Sequence, residues 1–203
     1  MTTDKRSNDT REQFLDKAET LFAERGFYGV SIAAVAGELG LTKQALLHHF
    51  GSKEKIYGEV LRRISEQFAE LAPGEVDDDP STRFKNHMLA LQATTKRDAD
   101  RTALLIRELL DNKRRADSAG TWYLKPFLEN LVGMVKAIPN WQSATDAEAL
   151  ALVYQLLGAI NYFSISEPTL TAIFGTAQYK TLEKSYPLQL SHLIGASLST
   201  REP

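Results

Sequence analysis

Apolar residues return every three or four positions along most of this chain, with charged residues filling the gaps. Phe14, Leu15, Ala18, Leu21 and Phe22 form the first such stripe, the spacing of a helix that buries one face. Gly26 ends it. Ser31 is suited to cap a short helix through Leu39 whose inward positions are Ile32, Val35, Ala36 and Leu39, and Gly40 can close that helix in the left-handed conformation. Thr42 then caps a helix to about His49, and Ser52 caps a long one toward Leu71. Residues 73–80, PGEVDDDP, are the strongest break in the chain. Beyond them helices are predicted over 81–96, 101–115, 119–137 and 146–163, with Pro139-Asn140 marking a turn and a shorter helix near 168–174. Proline costs about 3 kcal/mol inside a helix but is comfortable in its first turn, so Pro187 predicts a last helix from Ser185 or Tyr186 to about Leu198. No strand-type alternation of useful length appears, and the fold class is all-α.

Two stretches bear on the surroundings of the protein. MTTDKRSNDTREQ is polar, reads as a frayed arm, and has no apolar run of the kind a secretory leader needs. The most apolar stretch, Ala147 to Phe163, is interrupted by Glu148, Gln155 and Asn161 and falls short of the roughly 20 clean residues of a membrane helix. The expectation is a cytoplasmic protein without a membrane partner.

Composition narrows the chemistry. The 203 residues are 43% apolar and 25% charged, as in a soluble globular protein with its own core. There is no cysteine, which excludes thiol nucleophiles, disulfides and Cys-ligated metals. The net charge of −2 gives no bulk attraction to nucleic acid, and residues 1–58 carry eight basic against eight acidic side chains. Between Gly40 and Ile56, however, three lysines and two histidines face only Glu54. No phosphate-binding glycine loop, nucleophile elbow or zinc-protease motif is present. Asp77, Asp78 and Asp79 lack the spacing of a calcium loop, and His87 and His192 lack ligand-like neighbours. No cofactor, metal or catalytic residue is expected.

The informative spacing is Ala36, Gly40 and Leu46. A small residue lets two helices approach, a glycine four positions on makes the turn, and a large aliphatic six further anchors the second helix: a helix-turn-helix signature. In that geometry the first turn of the second helix enters the major groove, so Lys43, Gln44 and Ala45 are the base-facing candidates. Ser31 and Thr42 stand at helix N-termini, where free N–H groups attract phosphate, and Lys53 repeats the arrangement with a full charge. His48 is a candidate backbone contact, while His49 and Leu47 have packing as an open alternative.

The block from Phe14 to Leu61 resembles the DNA-binding half of the TetR family of bacterial transcriptional regulators. The resemblance is carried by Ala18, Phe22, Gly26, Phe27, Ser31, Val35-Ala36, Gly40-Leu41-Thr42, His49-Phe50 and Ser52-Lys53-Glu54. Gln44 stands where the family usually has glycine, Leu47 where it usually has a DNA-facing tyrosine, and Ala34 where an acid is common. The resemblance implies an N-terminal three-helix helix-turn-helix domain, residues 1–58, and a larger helical ligand-binding and dimerisation domain, residues 59–203. The apolar helix over 147–163 and Leu188, Leu190, Leu193, Ile194 and Leu198 would then form a homodimer interface, a wholly internal helix being the alternative. Met88, Trp122, Tyr123, Phe127, Tyr154 and Tyr162 are candidates to line an effector pocket. The implied function is a repressor released from a palindromic operator in double-stranded DNA by an unknown small molecule. A helical protein-interaction module and an all-α enzyme with an unrecognised site are the rivals.

Overall fold

The structure, a computed structural model, describes residues 2–71, 79–111 and 124–199, with side chains described for 10–71, 79–108 and 124–199. Among these residues every regular element is helical: α1 (Thr2–Arg25), α2 (Ile32–Gly37), α3 (Lys43–Phe50), α4 (Lys53–Ala69), α5 (Pro80–Arg97), α6 (Ala99–Asp111), α7 (Lys125–Lys136), a 3₁₀ turn (Pro139–Trp141), α8 (Asp146–Ile165), α9 (Glu167–Phe174) and α10 (Thr176–Ser199). The chain divides into two compact units, residues 1–65 with 103–123, and residues 66–102 with 124–203. In sequence the division falls within α4 and within α6.

The first unit is built as its apolar spacing requires. Phe14, Leu15, Ala18 and Phe22 of α1 are buried with Val35 and Ala36 of α2, Leu46 and Phe50 of α3, and Ile56, Val60, Leu61 and Ile64 of α4. Aromatic edges hold the corners, Phe14 against Phe50 at 6.2 Å between centroids and Phe22 against Tyr57 at 4.9 Å. Arg63 forks onto α1, with Nη2 donating to Glu19 Oε2 at 2.6 Å and Nη1 to Asp16 Oδ1 at 2.7 Å. The N-terminal segment is helical from Thr2 rather than a frayed arm. No glycine or proline interrupts it before Gly26, and contacts of Arg11 with Glu59 and of Glu12 with Arg63 tie its middle to α4.

In the second unit α5 opens on Asp79, whose carboxylate accepts from the N–H groups of Ser81 and Thr82. Its apolar side, Phe84, Met88 and Leu91, is buried, as are Phe127, Leu131 and Val135 of α7. α8 starts with a full capping box between Thr145 and Glu148. Among the described residues α8 is the one helix that by length and mean hydropathy suffices to cross a bilayer, and it is longer than the span read from the sequence. Its residues Leu152, Val153, Leu156, Ile160 and Phe163 are nevertheless buried within the unit, as in the core helix of a globular domain.

The last helix also differs from expectation: it begins at Thr176, and Pro187 lies in its interior. Proline there leaves the Glu183 carbonyl without its helical donor. Packing of the residues that precede it offsets the cost. Tyr186 stacks on Phe163 at 3.7 Å and donates its hydroxyl to the Ala159 carbonyl at 2.8 Å. Lys96 binds Glu167, Glu183 and the Tyr179 hydroxyl, tying α5 to α9 and to the first turns of α10. Burial opposes the charge on Lys96, but the Glu167 carboxylate and the Tyr179 hydroxyl hold its ammonium well above the ordinary lysine range.

Candidate nucleic-acid interface

The site is set by one turn and three caps. Gly40, at φ +65°, takes the left-handed conformation that a side chain disfavours, and it lets Leu41 N–H reach the Ala36 carbonyl and Gly40 N–H the Gly37 carbonyl, each at 3.0 Å. The chain thereby leaves α2 and enters α3 within five residues. Thr42 caps α3, its Oγ1 accepting from Ala45 N–H at 3.2 Å, and Ser31 caps α2 by accepting from Ala34 N–H at 3.0 Å. Ser52 does the same for α4 through Lys55 N–H at 3.2 Å. With no acid at position 34, α2 has only half of a capping box.

Leu46 and Phe50 are sunk in the core, and this fixes the roll of α3. Thr42, Lys43, Gln44 and His48 are consequently exposed, Ala45 and Leu47 are half-buried, and His49 is half-buried between Phe14 and Phe50. The base-facing candidates therefore share the free side of the helix. Lys53 lies with its ammonium 4.4 Å over the Phe27 ring, where burial lowers its pKa and Glu54 partly restores it. Hydrogen bonding around the α4 cap and the Lys53 charge keep Glu54 below the usual carboxylate range. Two exposed side chains missed in the sequence adjoin this surface, Tyr28 next to the α2 cap and Leu41 in the turn. The signal available was that neither fits the apolar stripe of a helix.

The pocket candidates differ in burial. Met88 and Phe127 are buried in the core of the second unit, whereas Tyr154 and Tyr162 stand on the exposed side of α8, Tyr162 at 76% exposure. Trp122 and Tyr123 lie outside the described residues. A polar group the sequence left isolated is better placed: His87 is 1% exposed, its Nδ1 meets the Leu71 carbonyl at 3.0 Å, and its Nε2 is buried without a hydrogen bond. Burial holds its pKa below that of a free imidazole. Among the described residues no cluster of three or more acidic or histidine side chains is arranged to hold a metal.

Comparison with known proteins bears on the same region. The family described as bacterial regulatory proteins, tetR family, matches residues 14–60. The HTH-type transcriptional repressor KstR2 of Rhodococcus jostii (strain RHA1) is 44% identical over 52 residues, 26% of this chain and 26% of that protein, so the match spans about a quarter of the relative. Over the longer chain the likeness is one of fold. A putative transcriptional regulator, SCO4942 from Streptomyces coelicolor, superimposes with a TM-score of 0.67 at 17% identity, over 93% of this chain and 97% of that one. The crystal structure of AibR in complex with isovaleryl coenzyme A and operator DNA superimposes with a TM-score of 0.55 at 17% identity, over 76% and 85% of the two chains.

Proposed function

Through residues 14–60 the chain belongs to the tetR family of bacterial regulatory proteins, and from that premise we propose that it is a homodimeric transcriptional repressor. It binds a palindromic operator and leaves it when a small molecule occupies the helical unit that follows. The observation that carries the reading is the first turn of α3. Thr42 caps it, Leu46 and Phe50 anchor it from beneath, and Lys43 and Gln44 face solvent, which is the presentation a groove-reading helix needs.

In this reading Lys43, Gln44 and Ala45 meet base edges, and Leu47 makes an apolar contact in place of a tyrosine hydroxyl. Ser31, Thr42, His48 and Lys53 meet phosphates, and His49 braces the end of the helix. The domain border follows the family layout, with DNA binding in residues 1–58 and effector binding and dimerisation in 59–203. Dimerisation is supported by large apolar side chains that the second unit leaves uncovered: Tyr154 and Tyr162 of α8 and Leu188 and Leu193 of α10 are all exposed. In this reading two α3 helices must lie roughly 34 Å apart, the separation at which half-sites recur on one side of a duplex. That a chain of this fold can take a small molecule is supported by AibR, a fold relative crystallised in complex with isovaleryl coenzyme A and operator DNA. Inverting a 1:99 balance between bound and released forms takes about 5.5 kcal/mol of preferential effector binding. The protein acts in the cytoplasm, and the reading assigns it no reaction.

Fluorescence anisotropy on the DNA upstream of its own gene tests this. Binding should be specific and weaken steeply with salt. Gln44→Ala should cost about 1–3 kcal/mol at one base position and leave the rest of the preference unchanged. Uniform or salt-insensitive binding to all duplexes would overturn the repressor reading.

A further inference from the structure

His87 of α5 leaves half of its hydrogen-bonding capacity unused in the interior of the second unit. The ring is 1% exposed, and its Nδ1 meets the Leu71 carbonyl at 3.0 Å. A carbonyl oxygen only accepts, so Nδ1 carries the proton and donates it. Burial holds the pKa of this imidazole below that of a free one, which keeps the ring neutral near neutral pH. The other nitrogen, Nε2, is then a bare lone pair, and it is buried without a hydrogen bond. One backbone contact thus decides what the free side of the ring can take: a donor.

The residues that share its side of α5 offer none. Phe84, one turn before it, and Leu91, one turn after, are both buried, and neither has a polar side-chain atom. Leu71 follows shortly after Phe68, whose buried ring lies 6.2 Å from that of Phe127 in α7. The imidazole therefore stands where the chain leaving α4 meets α5, in apolar surroundings. Leucine or methionine would fill similar space there without any polar cost, so an unpaired acceptor is a feature that packing alone does not require.

We propose that Nε2 of His87 is the polar handle of the effector site, and that the effector is an uncharged, largely apolar molecule that offers it a hydroxyl or an amide N–H. This rests on the effector reading above and gives that effector a chemical class. A carboxylate or phosphate brings only acceptors to a lone pair, and it would have to carry a proton in with it and charge a ring that apolar residues flank. One donor placed against Nε2 fixes the orientation of an otherwise apolar ligand, as the few polar groups of a small-molecule site do.

Nitrogen NMR of the histidine rings in the full chain tests this with three matched probes: para-cresol, which carries a donor, para-fluorotoluene, which carries none, and para-toluate, an anion. Without a probe, His87 should show the neutral ring protonated at Nδ1. Para-cresol should shift the Nε2 signal saturably while the ring stays neutral, and should bind roughly 3- to 10-fold more tightly than para-fluorotoluene, the worth of one neutral hydrogen bond. In His87→Leu that preference should vanish while para-fluorotoluene still binds, and the wild-type spectra decide the matter if this variant does not fold. Anisotropy with the upstream duplex, repeated with each probe, separates the two readings. Para-cresol bound at His87 with no effect on DNA affinity would sink the effector reading and leave a donor-selective small-molecule site. An Nε2 signal that para-cresol does not move, equal affinities for para-cresol and para-fluorotoluene, or tighter binding of para-toluate with protonation of the ring overturns the proposal.

Discussion

Arg63 shows how much of the first unit depends on single side chains. Its guanidinium reaches Glu19, which is 5% exposed, as well as Asp16 and Glu12, so one residue of α4 gathers three carboxylates of α1. Its pKa stays above the ordinary value because hydrogen bonds and charges from Glu19 and Asp16 outweigh desolvation. Arg63→Ala removes the fork that ties α4 to three carboxylates of α1, and should destabilise the protein by about 1–3 kcal/mol in urea unfolding. Lysine at this position should recover only part of that, since a single ammonium cannot serve the same fork. His87 is the counterpart in the second unit. A free imidazole takes its proton near pH 6.5, and burial delays this for His87 in the folded state. Below about pH 6.5 the unfolded chain therefore binds a proton that the folded one refuses, and stability must decline as the pH falls. Thermal unfolding at about pH 7.5 and 5.5 should show that decline, and His87→Met should flatten it.

At the scale of elements, the caps carry both stability and the proposed recognition, and one pair of variants separates these roles. Thr42→Ala removes the acceptor for Ala45 N–H and should cost about 1 kcal/mol. Thr42→Asp keeps a cap and the stability it gives, yet turns a negative charge toward the duplex, so thermal melts should spare it while anisotropy shows DNA binding lost. Pro187 permits a second test. Pro187→Ala returns a donor to the Glu183 carbonyl, and after allowance for the freer unfolded chain it should stabilise the protein by about 1–2 kcal/mol, raising the thermal midpoint. Most helices of the first unit could be read from the chain because cap and stripe agree, as at Ser31, Thr42 and Ser52. Pro187 misled because its penalty is local, whereas the Tyr186–Phe163 stack and the Lys96 ion pairs that offset it join residues far apart in sequence. The exposed side of α3 could be inferred from Leu46 and Phe50. The unpaired nitrogen of His87 could not, since it depends on how Leu71 and α5 meet.

For the molecule as a whole, net charge says almost nothing and local arrangement almost everything. A chain with a net charge of −2 still gathers Lys43, His48, Lys53 and Lys55 about one short helix and the start of the next. The second unit is uneven in a different way, since Tyr154, Tyr162, Leu188 and Leu193 are large apolar or aromatic side chains left exposed to water. If the proposed dimer covers those side chains, abundance becomes a variable of stability. Any fold completed by a twin gains free energy with the logarithm of its own concentration, so a subunit made in few copies spends more time alone, with those side chains wet. Scarcity would then expose it to proteases and chaperones, and the cell could set the lifetime of this protein simply by how much of it is made.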